Sequence, residues 1–402
     1  MIARLANAAK EIAIAYQFGT GPLIDAYVLV VAFVTWLPAV WLSGCQTVLV
    51  PQVVSLSAAE RRLFLSELFG WLIVVGAVLS LVLILGLPTL MMGLFGDHAA
   101  RNELEHLLAV LTPITLFGVV TSLFIALLIA AQRHANALLE GVPAVVILVS
   151  VLLLGSAQAL SYGTLAGFAL QLGVAAWLLR TSWFSRPKLS FASSVWPEFK
   201  QGMKIVLFGQ LLLALAYPVD QLIANTLVSG SGAQYGYAYR LVAFIMAIGS
   251  LAIGRTVLPV LSQMDLGDAW LLIARWGRRL FSSAIFVVAL AWALAPWGVA
   301  LLFERGAFTQ SDTLAVTEAF RWGLVQVPFM LLGVLLTQYL ASAKAFWTIS
   351  LVGAGGAVVK IVASLVLGNT LGLPGLMQAS AVAFGVTALA AYVGARRLVR
   401  VT

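Results

Sequence analysis

Apolar runs of about 20 residues, each long enough to cross a hydrocarbon layer roughly 30 Å thick, recur from one end of this 402-residue chain to the other. In lipid, every backbone N–H and C=O needs an internal partner, and α-helices supply it segment by segment. A membrane β-barrel would show shorter stretches of alternating polarity, a pattern this sequence lacks. Only 9% of the residues are charged and 62% are apolar, against roughly 25% charged in soluble domains. The chain therefore reads as an all-α integral membrane protein.

Twelve spans are expected, over 2–18, 23–50, 68–92, 104–131, 136–155, 162–180, 203–227, 234–262, 280–303, 313–342, 345–368 and 374–395. MIARLANAAK leads straight into the first of them without the small-residue cleavage site of a signal peptide. The lone cysteine, Cys45, excludes an internal disulfide and a cysteine metal cluster, and reads as a small residue within a helix. A formal charge of +8 could suggest a nucleic-acid partner, but in a membrane chain the placement of Lys and Arg reports orientation. With the N-terminus inside, the inner loops and C-terminus collect Arg61, Arg62, Arg133, Arg180, Arg186, Lys188, Arg275, Arg278, Arg279, Arg396, Arg397 and others, while the outer loops hold only Arg101 and Arg305. Both termini are expected in the cytoplasm, and no nucleic-acid partner is expected.

The halves resemble each other. TVLVP at 47–51 recurs as TVLP at 256–259, VAF at 31–33 recurs at 242–244, and AVV at 144–146 recurs at 357–359, with offsets of 209, 211 and 213. Six helices per repeat make the halves run parallel, related by an axis along the membrane normal. The expected organisation is a six-helix lobe over 1–180, an interfacial linker over 181–200 and a second six-helix lobe over 201–402, framing a central cavity. The linker mixes basic residues with Trp183, Phe184, Phe191 and Trp196, side chains suited to headgroup level.

Charges inside the spans mark candidate sites, because a charge at the bilayer midplane costs about 2.5–3.5 kcal/mol even on lenient scales. They are Arg4, Lys10 and Glu11 in the first helix, Asp25 heading the second, Asp220 in the seventh, Arg240 and Arg255 in the eighth, Glu318 and Arg321 in the tenth, and Lys360 in the eleventh. Glu11 and Asp220 lie 209 residues apart, the TVL offset. Acids at matching places beside a cavity suit coupling to a proton or cation, since burial raises a carboxyl's pKa toward the working pH. The plainer alternative leaves Lys10 and Glu11 near the cytoplasmic surface and has Asp220 bond locally beside Pro218. Arg4, Lys10 and Arg240 supply positive charge toward the inner cavity. Guanidinium groups bind phosphate bidentately, so a pyrophosphate-bearing anion fits there and an organic cation is repelled. Arg255 is expected to snorkel to the interface, and Glu318 with Arg321 to form an ion pair. Lys360 follows GAGGAVV, whose glycines allow close helix approach, and is placed to offset an acid on a neighbouring helix. Pro38, Pro113, Pro143, Pro218, Pro296 and Pro328 read as kinks.

Catalytic chemistry is missing from the pattern. GAGGAVVK at 353–360 is not a phosphate-binding loop, and no serine, histidine and acid set converges. His98 and His106, near Asp97, Glu103 and Glu105, read as a solvated outer loop rather than a metal site, and His134 stands apart. No enzyme activity and no cofactor are expected; a coupling ion, H⁺, Na⁺ or Cl⁻, is left open.

FGTGPLIDAY at 18–27, TVLVPQVVSL at 47–56, YAYRLVAF at 237–244, GRTVLPVLSQ at 254–263 and LLFERGAFTQSDT at 301–313 give the chain its resemblance to the MurJ/MviN family of lipid II flippases, in the superfamily of oligosaccharide and multidrug (MATE) exporters. The resemblance implies an alternating-access flippase of the bacterial inner membrane. It would move a polyprenyl-pyrophosphate-linked saccharide, either lipid II or a related exopolysaccharide precursor. It places Arg4, Lys10, Asp25 and Arg240 at charged cavity positions that bind substrate, with Glu11 and Asp220 as coupling acids. Pro38 and Ala39 stand where the family carries two arginines, Tyr239 and Ala243 replace an aspartate and a glutamate around Arg240, and the family's last two helices find no counterpart. Expected partners are the lipid-linked saccharide, membrane lipids and glycan-synthesis proteins. Two other readings stay open: a MATE-like cation-coupled drug exporter, in which acids dominate the cavity, and a non-transporting scaffold of a glycan-assembly complex, in which Arg240 is dispensable.

Overall fold

The computed structural model describes residues 2–91, 98–133, 136–179 and 186–401. Among them the helices are α1 (Ile2–Phe18), α2 (Pro22–Ser55), α3 (Ala58–Met91), α4 (His98–Leu111), α5 (Pro113–Ala130), α6 (Val142–Leu154), α7 (Ala157–Leu178), α8 (Trp196–Ala224), α9 (Ser231–Leu261), α10 (Leu266–Phe303), α11 (Gln310–Leu324), α12 (Gln326–Ser342), α13 (Phe346–Leu371) and α14 (Leu373–Val401). Ten helical segments are long and apolar enough to cross a membrane. Two shorter helices, α1 with 17 residues and α6 with 13, lie where the first and fifth spans were expected. The protein is a multi-pass, all-helical membrane protein.

Two expected spans are each made of two helices. Residues 104–131 divide into α4 and α5, with Pro113 opening α5, and 313–342 divide into α11 and α12 at Val325. Of the prolines read as kinks, Pro113 and Pro143 instead occupy the first turn of a helix, where the missing N–H is not needed. Pro38, Pro218 and Pro296 do lie inside helices. At Pro38 the lost bond is made good: the carbonyl of Val34, one turn earlier, accepts from Thr115 Oγ1 of α5 at 3.0 Å. Gly118 lets α5 come that close, since a Cβ there would meet the Pro38 ring at 2.7 Å.

The chain divides into two compact units, Met1–Pro218 and Val219–Thr402, so the boundary falls inside α8. In the first unit, α5 packs against α2, α3 and α7, and α1 lies along α6. Its core joins α2, α3, α5 and the start of α8 through Leu49, Phe64, Leu65, Leu123, Trp196 and Phe199, with Phe64 edge-on to Trp196 at 5.2 Å and to Phe199 at 5.3 Å. In the second unit, α14 packs against both α12 and α13, and α9 against α12. Tyr237 is buried there between Phe303 and Phe308 at 5.2 and 5.7 Å. Of the glycines preceding Lys360, Gly356 makes the close approach, lying where a Cβ would strike Thr387 of α14, while Gly353 and Gly355 face open space.

Candidate functional site

A buried polar centre within the apolar helices is built around Asp220, in the second unit. Its carboxylate is 2% exposed. Lys360 Nζ of α13 reaches Asp220 Oδ2 at 2.7 Å and donates to Oδ1 at 3.0 Å. Tyr235 Oη of α9 donates to Oδ2 at 2.5 Å, and Ser364 Oγ, one turn beyond Lys360, donates to Oδ1 at 2.6 Å. The same ammonium donates to Ser364 Oγ at 2.9 Å and to the Leu376 carbonyl of α14 at 3.3 Å. A carboxylate taken out of water needs both an opposite charge and hydrogen-bond donors, and here α9 and α13 supply them, while α14 accepts from the ammonium. Lys360 thus offsets an acid on a neighbouring helix, as its position suggested. Tyr235 and Ser364 were missed, because a hydroxyl in an apolar helix carries no signal until its partner is placed.

The other expected site residues divide between the units. In the first, Lys10 Nζ pairs with Glu11 Oε1 at 2.8 Å, with the two side chains 16% and 11% exposed. Arg4 is exposed on the same helix. Asp25 is buried in the first turn of α2, where the free N–H groups and positive end of the helix dipole favour a carboxylate. In the second unit, Arg240 is half-buried on α9 and engaged within its surroundings. The structure brings Lys10 to Glu11 and Asp220 to Lys360. The side chains of Arg255, Arg101 and His98, and residues Asp97, His134, Arg180, Trp183 and Phe184, lie outside the described residues.

Glu67 of α3, fully buried, was not among the charges singled out, since the expected span began at residue 68. It accepts four hydrogen bonds from the linker: Ser190 Oγ at 2.5 Å, Ala192 N at 2.8 Å, Ser193 N at 3.2 Å and Trp196 Nε1 at 2.7 Å. Trp71 Nε1 donates to the Ser190 carbonyl at 3.1 Å and Lys188 N to the Ser66 carbonyl at 3.0 Å. Gly70 leaves room for the Lys188 backbone to lie against α3. From residue 186 onward the linker is therefore a strap fastened to the first unit.

One expectation needs correction. Arg321 does not pair with Glu318; its Nε donates to the Trp292 carbonyl at 3.0 Å, and Glu318 is exposed. An exposed carboxylate is better served by water than by a half-buried guanidinium that has found a free carbonyl. His106 meets Tyr162 edge-on at 6.5 Å. LLFERGAFTQSDT, the most specific of the quoted stretches, is a helix start. Thr309 caps α11 and exchanges hydrogen bonds with Asp312 in a capping box, and Thr313 Oγ1 ties back to Glu304 at 2.8 Å. Thr309→Ala is expected to lower stability by about 1 kcal/mol, read as a lower unfolding midpoint in detergent. An unchanged midpoint would show that the capping box does not stabilise this helix start.

Comparison with known proteins adds a family and a fold. The family model for lipid II flippase MurJ matches residues 14–402. Curated relatives include a probable lipid II flippase MurJ of Buchnera aphidicola subsp. Baizongia pistaciae (strain Bp), 27% identical over 161 residues, or 38% of this chain and 31% of that one. Another, from Vibrio cholerae serotype O1, is 28% identical over 192 residues, or 46% of this chain and 36% of that one. These matches thus span about a third of the relatives' own length. Among solved structures, lipid II flippase MurJ in an inward closed conformation superposes with a TM-score of 0.86 at 19% identity, covering 98% of this chain and 86% of that one. An inward-facing multidrug resistance MATE family transporter of the MOP superfamily superposes at 0.75 with 14% identity, covering 99% and 95%. At such identities the likeness is one of fold.

Proposed function

This chain belongs to the MurJ lipid II flippase family, and from that membership we propose that it is an alternating-access flippase for a polyprenyl-pyrophosphate-linked saccharide of the lipid II class. The observation that carries the proposal is the family match over residues 14–402. The family is one of bacterial inner-membrane transporters rather than catalytic enzymes, and ten apolar helices agree with a multi-pass protein of that kind. In this reading Arg4, Lys10, Asp25 and Arg240 each contribute to binding the substrate headgroup, and the lipid tail stays in the bilayer while the headgroup crosses. Both termini face the cytoplasm in this reading, which the Lys and Arg distribution supports. The membrane potential supplies roughly 2.3 kcal/mol per charge per 100 mV, enough to bias the turnover of an anionic headgroup.

Glu11 and Asp220 are the proposed coupling acids. Each is held by a lysine, Lys10 and Lys360 respectively, so coupling requires that its ion pair open in one state of the cycle. The test is reconstitution in vesicles, with headgroup exposure measured for lipid II beside a second polyprenyl-linked glycan. The intact protein is expected to expose the lipid II headgroup. Arg240→Ala, which removes a charged hydrogen-bond donor worth about 1.5–3 kcal/mol, should slow exposure about tenfold or more. Folded protein that moves neither substrate would end the proposal, and equal rates with Arg240→Ala would remove Arg240 from the site.

A further inference from the structure

The first turns of α8 carry Lys200, Lys204 and Leu207 on one face, and together they line an open groove of about 290 Å³. Trp71 and Val75 of α3 form the opposite wall, and Phe191 of the strap closes the end nearest Lys200. The lining is apolar, and Lys200 and Lys204 border it with their stems. Lys200 Nζ sits 3.9 Å from the centroid of the Phe191 ring, which holds its charge at the groove mouth. Both lysines are exposed, as are Phe191 and Val75.

Three features define what fits. Lys200 and Lys204 are one helical turn apart, and like charges at that spacing repel each other unless an anion lies between them. Neither has a carboxylate partner among the described residues. Glu198, two positions before Lys200, points to the other side of the helix, and Glu67 is occupied by its four strap donors. The groove rises from the lysines at the strap end of the candidate span Trp196–Ala224 toward Leu207 and Val75, deeper in it. A free anion would answer the lysines and leave the apolar wall bare, whereas a neutral lipid would cover the wall and leave the lysines unmatched.

We propose that this groove is a site for an anionic phospholipid of the surrounding leaflet, its phosphate between Lys200 and Lys204 and one acyl chain along Trp71, Val75 and Leu207. The assignment is independent of what the protein transports.

The test places the full-length protein in phosphatidylcholine nanodiscs containing a minor fraction of acyl-brominated phosphatidylglycerol or acyl-brominated phosphatidylcholine, and reads tryptophan quenching. Brominated phosphatidylglycerol should quench more strongly than brominated phosphatidylcholine. Lys200→Gln combined with Lys204→Gln should abolish that preference, and Lys200→Arg with Lys204→Arg should keep it. Both sites are exposed, so folding is expected to survive, and the arginine pair tests charge apart from side-chain identity. The proposal is overturned by equal quenching from the two lipids, or by a preference that persists in the glutamine pair. It is also overturned if a polyprenyl phosphate, added below the phosphatidylglycerol concentration, removes the quenching, because the groove then belongs to the transport substrate.

Discussion

Lys360→Met is expected to destabilise the protein by about 3–5 kcal/mol, the usual cost of removing one partner from a buried ion pair. Methionine matches the lysine stem in length and leaves packing nearly unchanged, so the loss isolates the ammonium. What remains is the Asp220 carboxylate, 2% exposed and held only by the hydroxyls of Tyr235 and Ser364. Adding Asp220→Asn removes the stranded charge, and because replacing both members of a buried pair is often close to neutral, the double variant should regain most of the stability. Unfolding in detergent, followed by circular dichroism for the parent, both single variants and the double, gives the coupling between the two residues directly. A Lys360→Met protein as stable as its parent, or a double variant weaker than either single one, would show that the pair is not what binds α8, α9, α13 and α14. Transport by the double variant separates a brace from a coupling acid. A stable but inactive protein means that the charge at Asp220 is used in the cycle, and restored activity means that it is structural.

Much of this fold was legible because its governing signal is long. Runs of apolar residues mark the order of the apolar segments along the chain, and a boundary error of a few residues does not disturb it. The splits at Thr112–Pro113 and Val325 were harder to see, since apolar residues continue across them and a single proline looks the same in a kink as at a helix start. Polar partnerships were legible only where both members carry charge. Asp220 and Lys360 stood out because a charge in lipid is conspicuous, but Tyr235, Ser364 and Thr115 did not, because nothing in a hydroxyl's sequence context names its acceptor. Glu67 was overlooked for a different reason: it falls one residue before the expected start of its span, where a carboxylate calls for no explanation. One indirect sign of it was present. The linker holds Ser190, Ser193 and Trp196 close together, and a partly buried indole N–H needs an acceptor.

Glu67→Ala should release the strap. Four donors converge on this one carboxylate, among them two backbone N–H groups and the indole of Trp196, which is 6% exposed. Leaving a buried donor unsatisfied costs about 1–3 kcal/mol, so retaining the docked geometry would cost several kcal/mol, and undocking into water or the interface relieves it. Two measurements follow the change. Trypsin should cut after Lys188 far faster than in the parent, while Arg186 is protected in both because Pro187 follows it. The single cysteine, Cys45, is fully buried in the same core as Trp196 and Phe199, so its reaction with a thiol reagent should accelerate as Trp196 loses its anchor. Glu67→Gln should fall between the two, because its carbonyl keeps one acceptor while its amide turns a donor toward the strap N–H groups. If cleavage and thiol reactivity both stay at parental rates in Glu67→Ala, the strap is held by its other contacts, the stacking of Trp71 on Phe191 at 4.7 Å and the hydrogen bonds of Trp71 Nε1 to the Ser190 carbonyl and of Lys188 N to the Ser66 carbonyl, and the carboxylate only fills a polar gap. If the strap is released while headgroup transport continues, its docking on α3 is not needed for turnover.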